Sequence, residues 1–423
     1  MRNNRARISL RELVYIFAAL LVFFQIYLLK PIGVMKYMDE LLAVLCLAKI
    51  LIDAFKKRLD RNQTYMLLLM LLLLGIGLVS NYYTKLQENP EAIFTDVGNT
   101  FKVFVTYIGA TQYLKPVKDK KRIIKVLATV MRLFIVVLFC GLVLHLSGLF
   151  VMGNDVRYGI PSYQFLNDGA AQLSMIFISL FVILVADMRY DRHKRQLKFL
   201  IIVLAAIVWA FTLRTRAFLY IAMFFALYWL LVVKEKQIKL NWKTVLLMGI
   251  FLLVFSLDQI DTYFGENKTA RYWFVYFGIY TMNRYFPFGA GFACYGTDAA
   301  VKYYAKLYIR YGFPKIWGLS PDRPYFAHDT YWPAIMAQFG YIGLVTVVLI
   351  VIRWVKDILN RTKNNKYTYL AGLFVVVTQI ASSAAEATFF HFVTVGLCFI
   401  LPVLFDTDSE ATNVTGKRLS PHV

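Results

Sequence analysis

The chain has 423 residues, of which 59% are hydrophobic and 17% charged. Soluble domains carry about 25% charged residues, and apolar runs long enough to cross a bilayer core of about 30 Å as helix recur along the chain; a soluble globular protein is excluded. The net charge of +22 does not indicate nucleic acid as a partner, because the basic residues follow the rhythm of the apolar runs.

Spanning backbone must satisfy its own hydrogen bonds, and the alternating pattern of a barrel is absent, so the runs read as helices. Twelve spans are predicted, at about 13–30, 37–55, 64–82, 93–114, 127–151, 169–187, 197–213, 217–233, 242–258, 331–352, 368–385 and 388–405. Arg2, Arg5, Arg7 and Arg11 precede the first run as in a signal peptide. No small-x-small cleavage site follows, so that run reads as an uncleaved first helix. Asp39 and Glu40 beside Lys36 read as local pairs at the outer end of the second span. The fourth run carries Asp96 and Lys102, which makes it the weakest span. Most of the 47 lysines and arginines fall in the segments that share one side of this alternation. That bias places both termini in the cytoplasm of an all-α polytopic membrane protein, a single membrane domain over 1–423.

Two features of the opposite, outer side break the pattern. The turn "TLRTRAF" sets Arg214 and Arg216 between spans seven and eight, against the topology rule. Arginines there either reach head groups or form a fixed pair of cations facing an anionic substrate, since the planar guanidinium grips phosphate. The segment 259–330 is a single long loop between spans nine and ten, whereas the other loops are short. Loops of that length are functional or disordered, and this one is rich in tyrosine and tryptophan. Within it "KTARYWFVYFGIYTMNRYF" reads as an amphipathic helix lying along the outer surface, with Arg271 early and Arg284 late. "YFPFGAGFACYG" then breaks at Pro287, Gly289 and Gly291, and "VKYYAKLYIRYGF" predicts a second short helix. Aromatic faces with polar tips suit both sugars and an interfacial belt; Tyr272 and Tyr331 are the candidates for substrate contact.

The loop ends in "RPYFAHDTYWPAIMAQFGYIG", with His328 and Asp329 at the lip of the tenth span. An imidazole titrates near neutrality and suits proton transfer. The bland alternative is that Asp329 or Thr330 simply caps the helix that follows. Glu386 and His391 are the other ionisable groups near the last outer turn, and His391 reads as a packed interfacial histidine. No GxxxxGK[ST] or G-x-G-x-x-G phosphate loop occurs in a suitable context, and no Cys/His cluster has zinc spacing. The only Asp-x-Asp, Asp406–Asp408, lies in the tail, which argues against a metal-bound nucleotide sugar as donor. The four cysteines imply no disulfide framework.

Three local patterns, in this order and on one face, resemble the O-antigen ligase and polymerase superfamily of bacterial integral-membrane glycosyltransferases. "TLRTRAFLYIA" is similar to the family's arginine-containing turn, with Arg216 at the matching position. "TARYWFVYFGIYTMNRYFPFGAGF" is similar to its arginine, aromatic helix and small-x-Gly-x-Gly segment, matching Arg271, Gly289 and Gly291. "AHDTYWPAIMAQFGYIGL" is similar to its His-Asn segment with two later glycines, matching His328, Gly340 and Gly343. Asp329 stands where the family usually has Asn, so it either holds His328 or acts as the base itself.

The resemblance implies glycan transfer on the extracytoplasmic face of the bacterial inner membrane. The implied donor is a saccharide on a polyprenyl diphosphate, with a glycan or lipid-linked glycan as acceptor and neither cofactor nor metal. Arg216 and Arg271, joined by Arg214 and Arg284, would hold the diphosphate; His328 and Asp329 would handle the proton. A polymerase of repeat units for O-antigen, capsule or exopolysaccharide is the preferred expectation, with a chain-length regulator as a candidate partner. A ligase acting on lipid A-core is the alternative. A lipid-linked glycan flippase is the competing class, and it predicts charges lining the spans in symmetric halves.

Overall fold

The computed structural model describes residues 9–28, 32–153, 155–167, 169–236 and 269–405. Among them the helices make up most of the regular structure, and the one paired sheet is an antiparallel hairpin, β1 (Val156–Arg157) and β2 (Ile160–Pro161), with Arg157 opposite Ile160. The helices are α1 (Leu10–Phe23), α2 (Gln25–Leu28), α3 (Met38–Phe55), α4 (Arg61–Thr84), α5 (Pro90–Leu114), α6 (Lys121–Leu146), α7 (Ala170–Asp187), α8 (Arg195–Ala210) and α9 (Thr215–Tyr228). After residue 269 come α10 (Ala270–Arg284), α11 (Asp298–Lys302), α12 (Lys306–Arg310), α13 (Tyr331–Thr362), α14 (Lys366–Ser383) and α15 (Phe392–Ile400). Helices stand at every predicted span that falls among the described residues, which leaves the ninth aside. That span, 242–258, lies outside the described residues, as do 259–268 of the long loop, Arg2, Arg5 and Arg7, and Asp406–Asp408.

Five of these helical segments are long and apolar enough to cross a membrane: α4, α6, α7, α9 with its π-helical extension to Val233, and α13. Leu and Met are strong helix formers, and the run from Met66 to Val79 in α4 is almost wholly apolar. The starts are locally encoded as well. Ser9 and Glu12 form a reciprocal capping box on α1. Asn89 caps α5, with Pro90 in the first helical position, where its missing N–H costs nothing.

The weakest predicted span is one of the most enclosed helices. α5 is buried along most of its length, and the two charges within the span, Asp96 and Lys102, explain the low apolarity. Lys102 Nζ donates to Asp39 Oδ2 at 2.7 Å, and Gln25 Nε2 donates to Asp39 Oδ1 at 3.0 Å. Asp39 is therefore partnered across helices, not locally with Lys36 as the sequence suggests. Two more basic residues within predicted spans are likewise neutralised, Lys49 by Asp53 and Arg132 by Asp187. Removing one member of a buried pair leaves an uncompensated charge, at about 3–5 kcal/mol. Lys102→Met should therefore lower the thermal unfolding temperature in detergent sharply, and Asp39→Asn added to it should recover most of the loss. Equal stability of Lys102→Met and wild type would show that the pair carries no such energy.

The segment after α10 is threaded into the bundle. α13 is kinked at Gly340 (φ 61°, ψ −158°), so carbonyls of the preceding turn need other donors. Ala337 and Gln338 receive them from the backbone N–H groups of Ala290 and Gly291, each at 2.8 Å. Gly289 and Gly291 have φ of +79° and +97°, a conformation that favours glycine. A Cβ at Gly289 would collide with the Gly340 backbone, and one at Gly291 would lie 2.7 Å from Asn81. Asn81 clasps Phe292, accepting from its N–H at 2.7 Å and donating to its carbonyl at 3.0 Å. Asp96 Oδ2 takes the Ala293 N–H at 2.5 Å and Gln338 Nε2 at 2.9 Å. The second charge of α5 thus ties this loop to the bundle.

The helix predicted within the long loop is α10, which runs beside the first part of α13. Phe274, Gly278, Thr281 and Met282 are its buried residues. Gly278 permits the close approach to Pro333, where an added Cβ would be 3.0 Å from the proline Cβ. Arg271 meets Asp329 at one end, and Asn283 accepts from Tyr341 Oη at 2.5 Å at the other.

Candidate functional site

The site lies at the end of the bundle where α9 and α13 begin. Arg214 is the N-cap of α9 and Arg216 is in its first turn. The turn that delivers them is pinned by the Tyr163 N–H, which donates to the Phe211 carbonyl at 2.8 Å. Arg216 is paired with Glu386, from the segment after α14. Arg214 Nη2 lies 3.5 Å from Asp155 Oδ2, which also accepts from Arg157 Nε at 2.9 Å beside the β1–β2 hairpin. Burial lowers the pKa of Arg214, and repulsion from Arg157 and Arg216 adds to the effect, against Asp155 and Glu386. Like charges crowded in this way are relieved by an anion.

Arg271, in the first turn of α10, engages Asp329 through Nε at 2.6 Å and Nη2 at 2.5 Å, both on Oδ2. Its guanidinium also lies over the Phe326 ring, 4.9 Å from the centroid. Burial pushes the Asp329 carboxyl up to about 6. The charges of Arg271 and His328 oppose that rise, and Glu386 adds to it, so the two arginine–carboxylate pairs feel one another. His328 is part-exposed, with Nε2 3.8 Å from Asp298 Oδ1, beyond hydrogen-bond distance. His391 caps α15, its Nδ1 accepting from the Val393 N–H at 3.2 Å. Its ring lies within electrostatic range of Lys102, Asp298, Asp39 and Arg216.

Buried polar atoms are almost always hydrogen-bonded, and exceptions in one place mark where a polar ligand or water belongs. Here Arg214 Nε, His328 Nδ1, Asp329 Oδ1, Thr330 Oγ1, Glu386 Oε2 and Thr388 Oγ1 are buried with no hydrogen-bond partner. They come from three segments far apart in sequence. Helix capping does not account for the His-Asp pair: Thr330 occupies the N-cap position of α13 without a capping bond from its side chain, and Asp329 turns to Arg271. Among the described residues no group of three His, Cys, Asp or Glu could hold a metal ion.

Arg214, Arg216, Arg271, His328 and Asp329 are thus brought to one end of the bundle. Arg284 is not. It lies at the far end of α10, about 20 Å from Arg271 at 1.5 Å per residue, exposed and donating to Tyr280 Oη at 3.0 Å. Tyr331 is also corrected: its ring is 1% exposed and packs on Phe389 and Phe390, so it braces the core and offers no face to a sugar. Tyr272 is half-buried next to Arg271 and stacks with Tyr276, ring centroids 6.3 Å apart. Gly289 and Gly291 shape the threaded loop and do not touch the arginines. Asp155 and Asp298 escaped sequence reasoning because a lone acid in a loop carries no pattern. Glu386 stood out as an ionisable group near a span, but nothing local assigns it to Arg216.

No protein-family model matches this chain, and no curated protein matches it. The class defined by the fold is a helical protein with several segments able to cross a membrane.

Proposed function

We propose that the protein joins oligosaccharide units carried on polyprenyl diphosphate into a surface polysaccharide, acting from the extracytoplasmic face of a bacterial plasma membrane. The observation that carries this reading is the convergence of three arginines with His328 and Asp329 around buried, unpartnered polar atoms. In the reaction, an acceptor hydroxyl oxygen forms a bond to the anomeric carbon of the donor sugar. The bond from that carbon to the phosphate oxygen breaks, and its electron pair leaves with the diphosphate. Arg216 and Arg271, with Arg214 beside them, neutralise the charge that develops there. The hydroxyl proton passes to Asp329, whose Oδ1 is free of any partner and whose pKa of about 6 suits a base near neutrality. His328 orients the hydroxyl. A single displacement inverts the anomeric centre.

The test uses the purified full chain in lipid nanodiscs with polyprenyl-diphosphate repeat units, without nucleotide or added metal. A ladder of longer lipid-linked glycans is the expected product. Transfer only to added lipid A-core would make the protein a ligase. No product under either condition overturns the enzyme reading.

A further inference from the structure

Glu386 is the residue that the reaction above leaves unused. It sits in the turn that follows α14, where its backbone N–H donates to the Ser382 carbonyl at 2.9 Å. One carboxylate oxygen is on Arg216; the other, Oε2, is buried with no partner. Asp187 of α7 likewise leaves Oδ1 without a partner, but its Oδ2 meets two cations, Arg132 and Lys198, and two other helix-tying carboxylates use both oxygens. Asp39 engages Gln25 and Lys102 with separate oxygens, and Asp60 does the same with Lys115 and Arg361. Glu386 therefore holds Arg216 with half of its bonding capacity, beside Asp329, a second carboxylate within electrostatic reach.

A carboxylate and a phosphate each offer a guanidinium a pair of acceptor oxygens for two parallel N–H bonds. They compete for one fork, and like charges placed side by side repel. We propose that Glu386 is a displaceable occupant of Arg216: an incoming diphosphate must take the guanidinium from it, and its return helps to expel the diphosphate after transfer. The residue sets how tightly the anion is held and how fast the spent carrier leaves. This inference rests on the reading of Arg216 as a diphosphate ligand. Glu386 is a positioning residue in this scheme and touches no reacting atom.

The probe is inorganic pyrophosphate, with farnesyl diphosphate as a short carrier, titrated calorimetrically into the full chain in detergent. Glu386→Gln removes the competing charge and keeps the shape. It should bind either probe about tenfold tighter than wild type, since even one relieved like-charge contact is worth that much. In turnover, KM and kcat should fall together as carrier release becomes slower. A purely structural partner predicts the reverse, weaker binding and a higher KM. Equal or weaker binding by folded Glu386→Gln overturns the proposal. If that variant does not fold, Glu386→Asp keeps the charge but is one methylene too short to hold Arg216. It should tighten binding by a smaller factor, and unchanged or weaker binding again overturns the proposal. Arg216→Ala separates the two levels. Wild-type binding that survives Arg216→Ala undiminished overturns the reading of the site itself. Loss of binding in Arg216→Ala without a gain in Glu386→Gln overturns this inference alone.

Discussion

Arg216→Ala should lower the rate of glycan transfer by about a hundred- to a thousandfold while the protein remains folded. Arg216 stands in the first turn of α9, and among the described residues its carboxylate partner is Glu386, the contact proposed above to be displaced. The negative charge on the departing phosphate is greatest in the transition state, so the loss should fall on kcat more than on KM. Arg271→Ala should behave similarly, with the added loss of the group that holds Asp329. Arg284→Ala is the control: about 20 Å away along α10 and exposed to solvent, it should change the rate by less than about twofold, the range of a surface substitution. Initial rates of chain extension, read beside the unfolding temperature of each variant, decide the matter. A loss in Arg284→Ala as large as that in Arg216→Ala would mean that the diphosphate lies elsewhere.

The second large effect concerns Asp329. As the base it must be ionised, and its folded pKa lies at about 6 because burial disfavours the charge. kcat/KM should therefore be level above that pH and fall tenfold per unit below it. Asp329→Asn should lower the plateau by about a hundred- to ten-thousandfold and abolish the acid limb. The sign of a third measurement follows from the geometry. Arg271 opposes the rise in the Asp329 pKa, so in Arg271→Gln the residual activity should show its acid limb at higher pH than wild type. An unchanged limb in Asp329→Asn would pass the proton to another group, with His328 the nearest candidate.

The charge pattern of the apolar runs was the part of the sequence easiest to misjudge. Asp96 and Lys102 weaken the fourth run as a span by composition, yet they are what holds α5 in place, one by binding the threaded loop and the other by pairing with Asp39. An ionisable residue within a run reports its partner only when the neighbouring helix is known. In α10 the aromatic composition predicts a helix, but what Gly278 does appears only against Pro333 of α13, which packs close to it. Arg284 and Tyr331 shared motif segments with the other candidates, but helix length carried the first away and core packing consumed the second.

The sequence by itself determined the helices and their approximate ends, because apolarity, capping residues and helix propensity act over a few residues. It also placed Arg214, Arg216, Arg271, His328 and Asp329 at segment ends, where the fold can bring them together. Only the tertiary structure decided which acid each arginine holds, that the N–H groups of Ala290 and Gly291 serve the broken turn of α13, and that Glu386 and Asp298 lie beside the candidate residues. Those are contacts between segments far apart in the chain. Their energies depend on distances set by helix packing, which no local pattern of residues encodes.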